Sequence, residues 1–132
     1  MIVASDVRNM TAVMNETLLN NELVALHQNT STPPGKLLGQ WLCDEPGHCN
    51  IWGRRLDTVG NDWLVALTNT GTKSHSIGVK WSQLGWTNPA TPARVRDLWK
   101  HTDVASSATK QYKVDAVPAH GTAVLRLTAT SS

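Results

Sequence analysis

The sequence predicts a mainly β chain, an antiparallel β-sandwich of Greek-key type preceded by a short β-loop-α piece. Three observations predict it. From Lys36 onward, apolar and polar residues alternate in short runs separated by turn residues at fairly regular intervals. Residues 1–35 instead hold an apolar run without alternation and then apolar residues at helical spacing. The 132 residues suffice to bury one core.

Taken in order, Ile2-Val3-Ala4-Ser5 reads as a strand buried on both faces of a parallel sheet. Asp6-Val7-Arg8-Asn9-Met10 is its polar exit. Leu19, Leu23 and Leu26 predict a helix, broken near Asn20-Asn21, and Thr32-Pro33-Pro34-Gly35 ends it. The boundary therefore falls between residues 1–35 and 36–132. A parallel strand needs neighbours on both sides, so the expectation is that residues 1–35 belong to a larger unit that the chain enters partway.

In the β part, Trp63, Val65 and Leu67 alternate with Leu64, Ala66 and Thr68. Asn69-Thr70-Gly71-Thr72 offers a turn, and Ile77, Val79 and Trp81 then alternate with Gly78 and Lys80. This pattern predicts a hairpin. Val95–Trp99 is a further strand, Tyr112 and Val114 alternate with Lys113 and Asp115, and Ala123, Leu125 and Leu127 face away from Val124, Arg126 and Thr128. With six Trp, one Tyr and no Phe, most of the large aromatic volume of the core has to come from Trp.

Cys43 and Cys49 flank Pro46-Gly47, a turn signal that lets the chain double back. A disulfide closing this loop is the reading preferred here, against free thiols or a metal site with His48. A metal site would need a second pair of ligands, and none stands nearby at suitable spacing. Asn9-Met10-Thr11, Asn15-Glu16-Thr17 and Asn29-Thr30-Ser31 are glycosylation sequons. Together with the cysteine loop they point to a secreted, lysosomal or lumenal parent protein, although the opening Met1–Asp6 is not a signal peptide.

Charge excludes several classes. Twelve Lys and Arg against ten Asp and Glu, with no basic run, leave no footprint for nucleic acid and no polybasic membrane patch. No apolar stretch approaches the length of a membrane span. There is no Gly-x-Ser-x-Gly elbow, no Cys-His-Asn context and no glycine-rich phosphate loop, so no cofactor is expected. Asp44 and Glu45 are neighbours that a turn would leave solvated, while Asp97 and His120 read as structural.

Several segments resemble, in order, those of the α-galactosidases (melibiases) of glycoside hydrolase family 27. Asp6-Val7-Arg8-Asn9-Met10 resembles the signature after the last barrel strand, and Asn21–Asn29 is similar to the last barrel helix. Ile51–Leu56, Asp62–Asn69, Trp81–Gly85, Val95–Trp99 and Val117–Leu127 are similar to successive segments of the domain that follows. The chain departs from the family pattern at His27-Gln28-Asn29 and at Arg55, and the loop carrying Cys43 and Cys49 looks like an insertion.

The resemblance implies a two-part enzyme, a catalytic (β/α)₈ barrel and then an antiparallel sandwich, cleaving terminal α-galactosides with retention. A complete barrel takes about 250 residues, so residues 1–35 would be the remnant of its last β/α unit. Retention needs two carboxyl groups about 5–5.5 Å apart. In the family both are Asp at the ends of middle barrel strands, upstream of anything in this sequence, so no catalytic residue is assigned. Asp6, with Arg8 as its polar partner, is implied to be barrel-mouth framework. The galactoside would meet the protein through the missing barrel. Two further readings compete: a sandwich that binds sugar through exposed Trp, and a purely structural sandwich that supports the barrel.

Overall fold

The structure, a computed structural model, describes residues 21, 22, 25, 34–42 and 47–130. Its strands are β1 (Lys36–Leu42), β2 (His48–Arg55), β3 (Asp62–Asn69), β4 (His75–Lys80), β5 (Ala93–Asp97), β6 (Thr102–Ala108), β7 (Gln111–Val117) and β8 (Thr122–Ala129). A 3₁₀ turn, Trp81–Leu84, follows β4. Six strands form one sheet in the order β1-β2-β3-β8-β5-β6, and β4 and β7 form a two-stranded ribbon across from it. Every pairing is antiparallel. The expected antiparallel sandwich is present. Asn21, Glu22 and Ala25 are helical, in line with the predicted helix, and the rest of that helix and the predicted first strand lie outside the described residues.

Alternation decides which residues meet between the layers. β3 buries Trp63, Val65, Leu67 and Asn69 while the residues between them are half-exposed. Ile51, Val95, Leu125 and Leu127 join them from the large sheet, and Ile77, Val79 and Val117 face them from the ribbon. Trp81, Leu84 and Trp86 close one end, with the rings of Trp81 and Trp86 meeting edge to face at 5.2 Å.

One expectation needs correction. β3 and β4 are not a hairpin: β3 pairs with β2 and β8, and β4 pairs with β7 in the other layer. The reason is the buried side chain of Asn69. Its amide donates to the carbonyls of Lys73 (2.7 Å) and Val117 (3.0 Å), and its Oδ1 accepts from Gly71 N (2.8 Å). These bonds carry the chain over the edge of the sandwich instead of turning it back within one sheet. The Val95–Trp99 strand is also shifted, because β5 spans Ala93–Asp97 and Leu98–Lys100 form a turn.

Gly53 on β2 lies under Leu38 of β1 and against the Trp63 ring. A Cβ there would collide with the Leu38 side chain and sit 3.3 Å from Trp63. Gly53→Ala is therefore expected to lower stability by about 1–3 kcal/mol through overpacking. Thermal melts of Gly53→Ala, Leu38→Ala and the double variant check it: the double variant should lose less than the sum of the two. Strictly additive losses would refute the contact.

Candidate functional site

The distinctive polar assembly lies on the outer face of the large sheet, where a helix meets it. Residues that alternate with the core point outward there, and the strand register sorts them into rows. Arg96 of β5 stands opposite Arg126 of β8, which stands opposite Leu64 of β3. One step along, Val124 of β8, Ala66 of β3 and Trp52 of β2 form an apolar row. Val124 is buried, whereas Trp52 is 42% exposed.

Two like charges directly opposite on neighbouring strands repel, so each arginine requires a carboxylate of its own. Arg126 has Asp62, which accepts from its Nε at 3.1 Å and its Nη2 at 2.6 Å and takes a third bond from Thr128 Oγ1 at 3.1 Å. Arg96 draws its carboxylate from the helix. Its Nε donates to Glu22 Oε2 at 3.0 Å and its Nη2 to Glu22 Oε1 at 2.8 Å, a two-pronged pair. Arg96 Nη1 reaches Asp103 at 3.2 Å, and Nη2 also donates to the carbonyl of His101 at 2.8 Å. His101, in the left-handed region at φ 55, brings its Nδ1 to 3.2 Å from Glu22 Oε1.

The electrostatics follow from this geometry. Hydrogen bonds from Arg96, and more weakly from His101, hold the Glu22 carboxyl at about 2 against some opposing desolvation. The Arg96 guanidinium is pushed upward, chiefly by its bonds to Glu22 and Asp103, and Arg126 is raised by Asp62. A general acid needs the opposite environment, one that raises a carboxyl toward neutrality. Glu22 is thus built to stay charged and to hold a position. The arrangement fastens a helix to a sheet.

The residues singled out from sequence fall elsewhere. Asp6, Arg8, Asn9, Asn15, Asn29 and Cys43 lie outside the described residues, as do Asp44 and Glu45. Cys49 is buried and disulfide-bonded, which removes its free-thiol and metal-ligand readings. Among the described residues no group of three or more His, Cys, Asp or Glu is placed to hold a metal. Asp97 is structural, its Oδ1 accepting from the backbone of Trp99 (2.9 Å) and Lys100 (3.0 Å). His120 occupies a turn at φ 58, closed by Gly121 N donating to the Pro118 carbonyl at 2.9 Å. Among the described residues no helix is long and apolar enough to cross a membrane. The Glu22–Arg96–His101 assembly was not foreseen, because its members are 74 and 79 residues apart. The outward register of Arg96 beside Arg126 was the available clue.

Fold and site together define an accessory β-sandwich, held through its larger sheet to a helix that precedes it. A family model described as the alpha galactosidase C-terminal beta sandwich domain matches residues 46–127, and the chain belongs to that family. Alpha-galactosidase 3 of Arabidopsis thaliana is 30% identical over 125 residues, covering 91% of this chain and 27% of that protein. The alpha-galactosidase of Coffea arabica is 27% identical over 128 residues, covering 97% of this chain and 31% of its own length. Among solved structures, alpha-galactosidase I from Mortierella vinacea superposes with a TM-score of 0.81 at 26% identity, over all of this chain and 33% of that one. The chain thus spans about a third or less of these relatives.

The lowered pKa of Glu22 fixes a direction. A carboxyl depressed from 4.5 to about 2 in the folded state stabilises above 4.5 and loses that contribution as pH falls toward 2. With both side chains about a third exposed (33% and 32%), the pair is screened. Glu22→Gln is accordingly expected to cost less than about 1 kcal/mol. Chemical denaturation of both proteins from neutral to strongly acid pH checks this. The gap between them should be open above pH 4.5 and close toward 2, and a gap that widens over that range would contradict the assignment.

Proposed function

We propose that this chain is the C-terminal part of a retaining α-galactosidase, in which residues 36–132 form a sandwich that supports the catalytic barrel and residues 1–35 are the barrel's last β/α unit. The observation that carries the proposal is the two-pronged Glu22–Arg96 pair. It joins a helix preceding the sandwich to the outer face of the large sheet. The start of β1 at Lys36 fits the same division, and so do the names of the relatives and the share of them that the chain spans. The apolar row of Trp52, Ala66 and Val124 continues the face that Glu22 touches, and in this reading the rest of the barrel rests on it.

The substrate is then a terminal α-galactoside, met by two Asp of the upstream barrel, while Asp6 and Arg8 frame the barrel mouth. The parent is secreted or lysosomal, with Cys43 bridged to Cys49 and glycans at Asn9, Asn15 and Asn29. The disulfide-bonded state of Cys49 and the absence of any cysteine besides Cys43 support that pairing. Non-reducing peptide mapping should recover the two cysteines in one linked peptide pair.

Activity tests the proposal directly. The chain alone should leave an aryl α-galactoside intact, whereas a protein extended upstream through a barrel should hydrolyse it. In that longer enzyme, Arg96→Leu should lower the melting temperature by several degrees and shorten the active lifetime with KM unchanged, the signature of a support. Turnover by the chain alone that Asp6→Asn abolishes would overturn the proposal.

A further inference from the structure

We infer that the end of the β4–β7 ribbon, where Lys80 meets Gln111, carries a binding site for an anionic saccharide, independent of the helix contact on the opposite layer. The inward side chains of the ribbon (Ile77, Val79, Tyr112, Val114, Val117) pack on the core, and Lys80, Gln111 and Lys113 are exposed. Where the ribbon ends, a depression of about 470 Å³ opens, lined by Lys80, Ser82, Trp86, Pro89, Lys110 and Gln111 among others. That volume suits a ligand of one or a few sugar rings.

Two features set this depression apart from ordinary surface. The first is backbone strain. Lys110 sits at φ 70, and Gln111 N donates across it to the Thr109 carbonyl at 2.7 Å, which makes a γ-turn of the rare positive-φ form. The turn is clamped on both sides: Lys110 N donates to Pro89 O at 2.8 Å, and Lys110 O accepts from Trp81 N at 2.9 Å. Glycine would occupy such a position without strain, yet a lysine stands there, at the rim of the depression.

The second feature is charge. Lys80 lies opposite Gln111 in the register, so Lys80 and Lys110 belong to adjacent positions, with Lys113 two residues beyond Gln111. Among the described residues none of these three ammonium groups has a carboxylate within ion-pair distance. The carboxylate on the same face, Asp115, comes only two residues after Lys113, away from the depression. An anion seated in the depression meets both Lys80 and Lys110 at its lining.

The lining favours a saccharide over a bare ion. The Trp86 ring is buried, its indole N–H spent on the Gly60 carbonyl at 2.7 Å, and forms only the floor, while the exposed Pro89 offers the apolar surface that the C–H face of a sugar requires. The Ser82 hydroxyl and the Gln111 amide stand beside them to exchange hydrogen bonds with sugar hydroxyls. The helix contact is made by the outer face of the other sheet, so occupation of one face leaves the other open.

The test titrates the full chain with tri-galacturonic acid and, separately, with neutral galactotriose, following backbone amide shifts. The acid should saturate the amides of Lys80, Gln111 and Trp86 near millimolar concentration, about the range of a small shallow site. Neutral galactotriose should bind at least about tenfold more weakly, and raising salt to about 0.5 M should weaken the acid several-fold. Lys80→Gln with Lys110→Gln should cost about tenfold in affinity, roughly what the loss of two charge-assisted contacts removes. Lys110→Gly should weaken binding while leaving the melting temperature unchanged or higher, since it relieves the turn. Equal binding by the wild type and the double variant would overturn the site, as would absence of saturation. Equal binding of short poly-glutamate would overturn the saccharide class, and a melting temperature lowered by Lys110→Gly would assign the lysine a structural role instead.

Discussion

The fold depends on satisfying indole N–H groups. The sequence has no Phe, so its large core rings come almost entirely from Trp, and each Trp brings a donor that cannot be buried unpaired. The structure meets this with backbone carbonyls outside the strand ladders. Gly60 O accepts from both Trp63 (2.9 Å) and Trp86 (2.7 Å), and Thr91 O accepts from Trp81 (2.8 Å). Those three bonds tie the β2–β3 loop to the 3₁₀ turn and to the segment that enters β5. The loop is shaped for the task, since Asp57 Oδ1 accepts from Gly60 N (2.8 Å) and Asn61 N (3.0 Å) and Gly60 takes φ 81. A Phe-based core would need none of this and would leave the loop free.

This constraint explains what could be read from the sequence. Alternation at Trp63–Thr68 and Ile77–Lys80 marks which side chains go inward, and burial follows it there, whereas in β8 the outward Val124 is buried as well. Period two says nothing of which strand lies beside which. The crossing from β3 to β4 was invisible because it rests on one buried Asn69, whose partners at Lys73 and Val117 are set by the folded chain. β6 gave no signal, since Thr102–Ala108 is an exposed edge strand without an apolar stripe. Trp81 looked like the end of a strand but begins the 3₁₀ turn that its own indole bond anchors.

The same holds on the outer face. Glu22 was legible as a helix residue and Arg96 as part of a strand, but nothing in either segment named the other. Their pairing follows from a sheet-level fact, that β8 is inserted between β3 and β5 and thereby sets Arg126 beside Arg96. Arg126 donates two bonds to Asp62 of the neighbouring β3, whereas Arg96 donates one to Asp103 of the neighbouring β6 and finds its two-pronged partner, Glu22, outside the strands. The sheet gives Arg96 one carboxylate contact, through Asp103, and the helix gives it the two-pronged one that fixes how helix and sheet meet.

Burial on that face supports the same logic. Val124 and Leu98, both on or beside the outer surface of the large sheet, are 7% and 1% exposed, while Trp52 two strands away is 42% exposed. Apolar burial therefore grades from β2 toward β8 and β5, toward the side where Glu22 is held. A surface meant for water would not place Trp52, Ala66 and Val124 in one cross-strand row, and a surface meant only to bind a small sugar would not need a two-pronged ion pair to a helix. A continuous apolar row bordered by an arginine row suits a large, permanently seated partner, with the charges fixing orientation and the apolar row supplying the area.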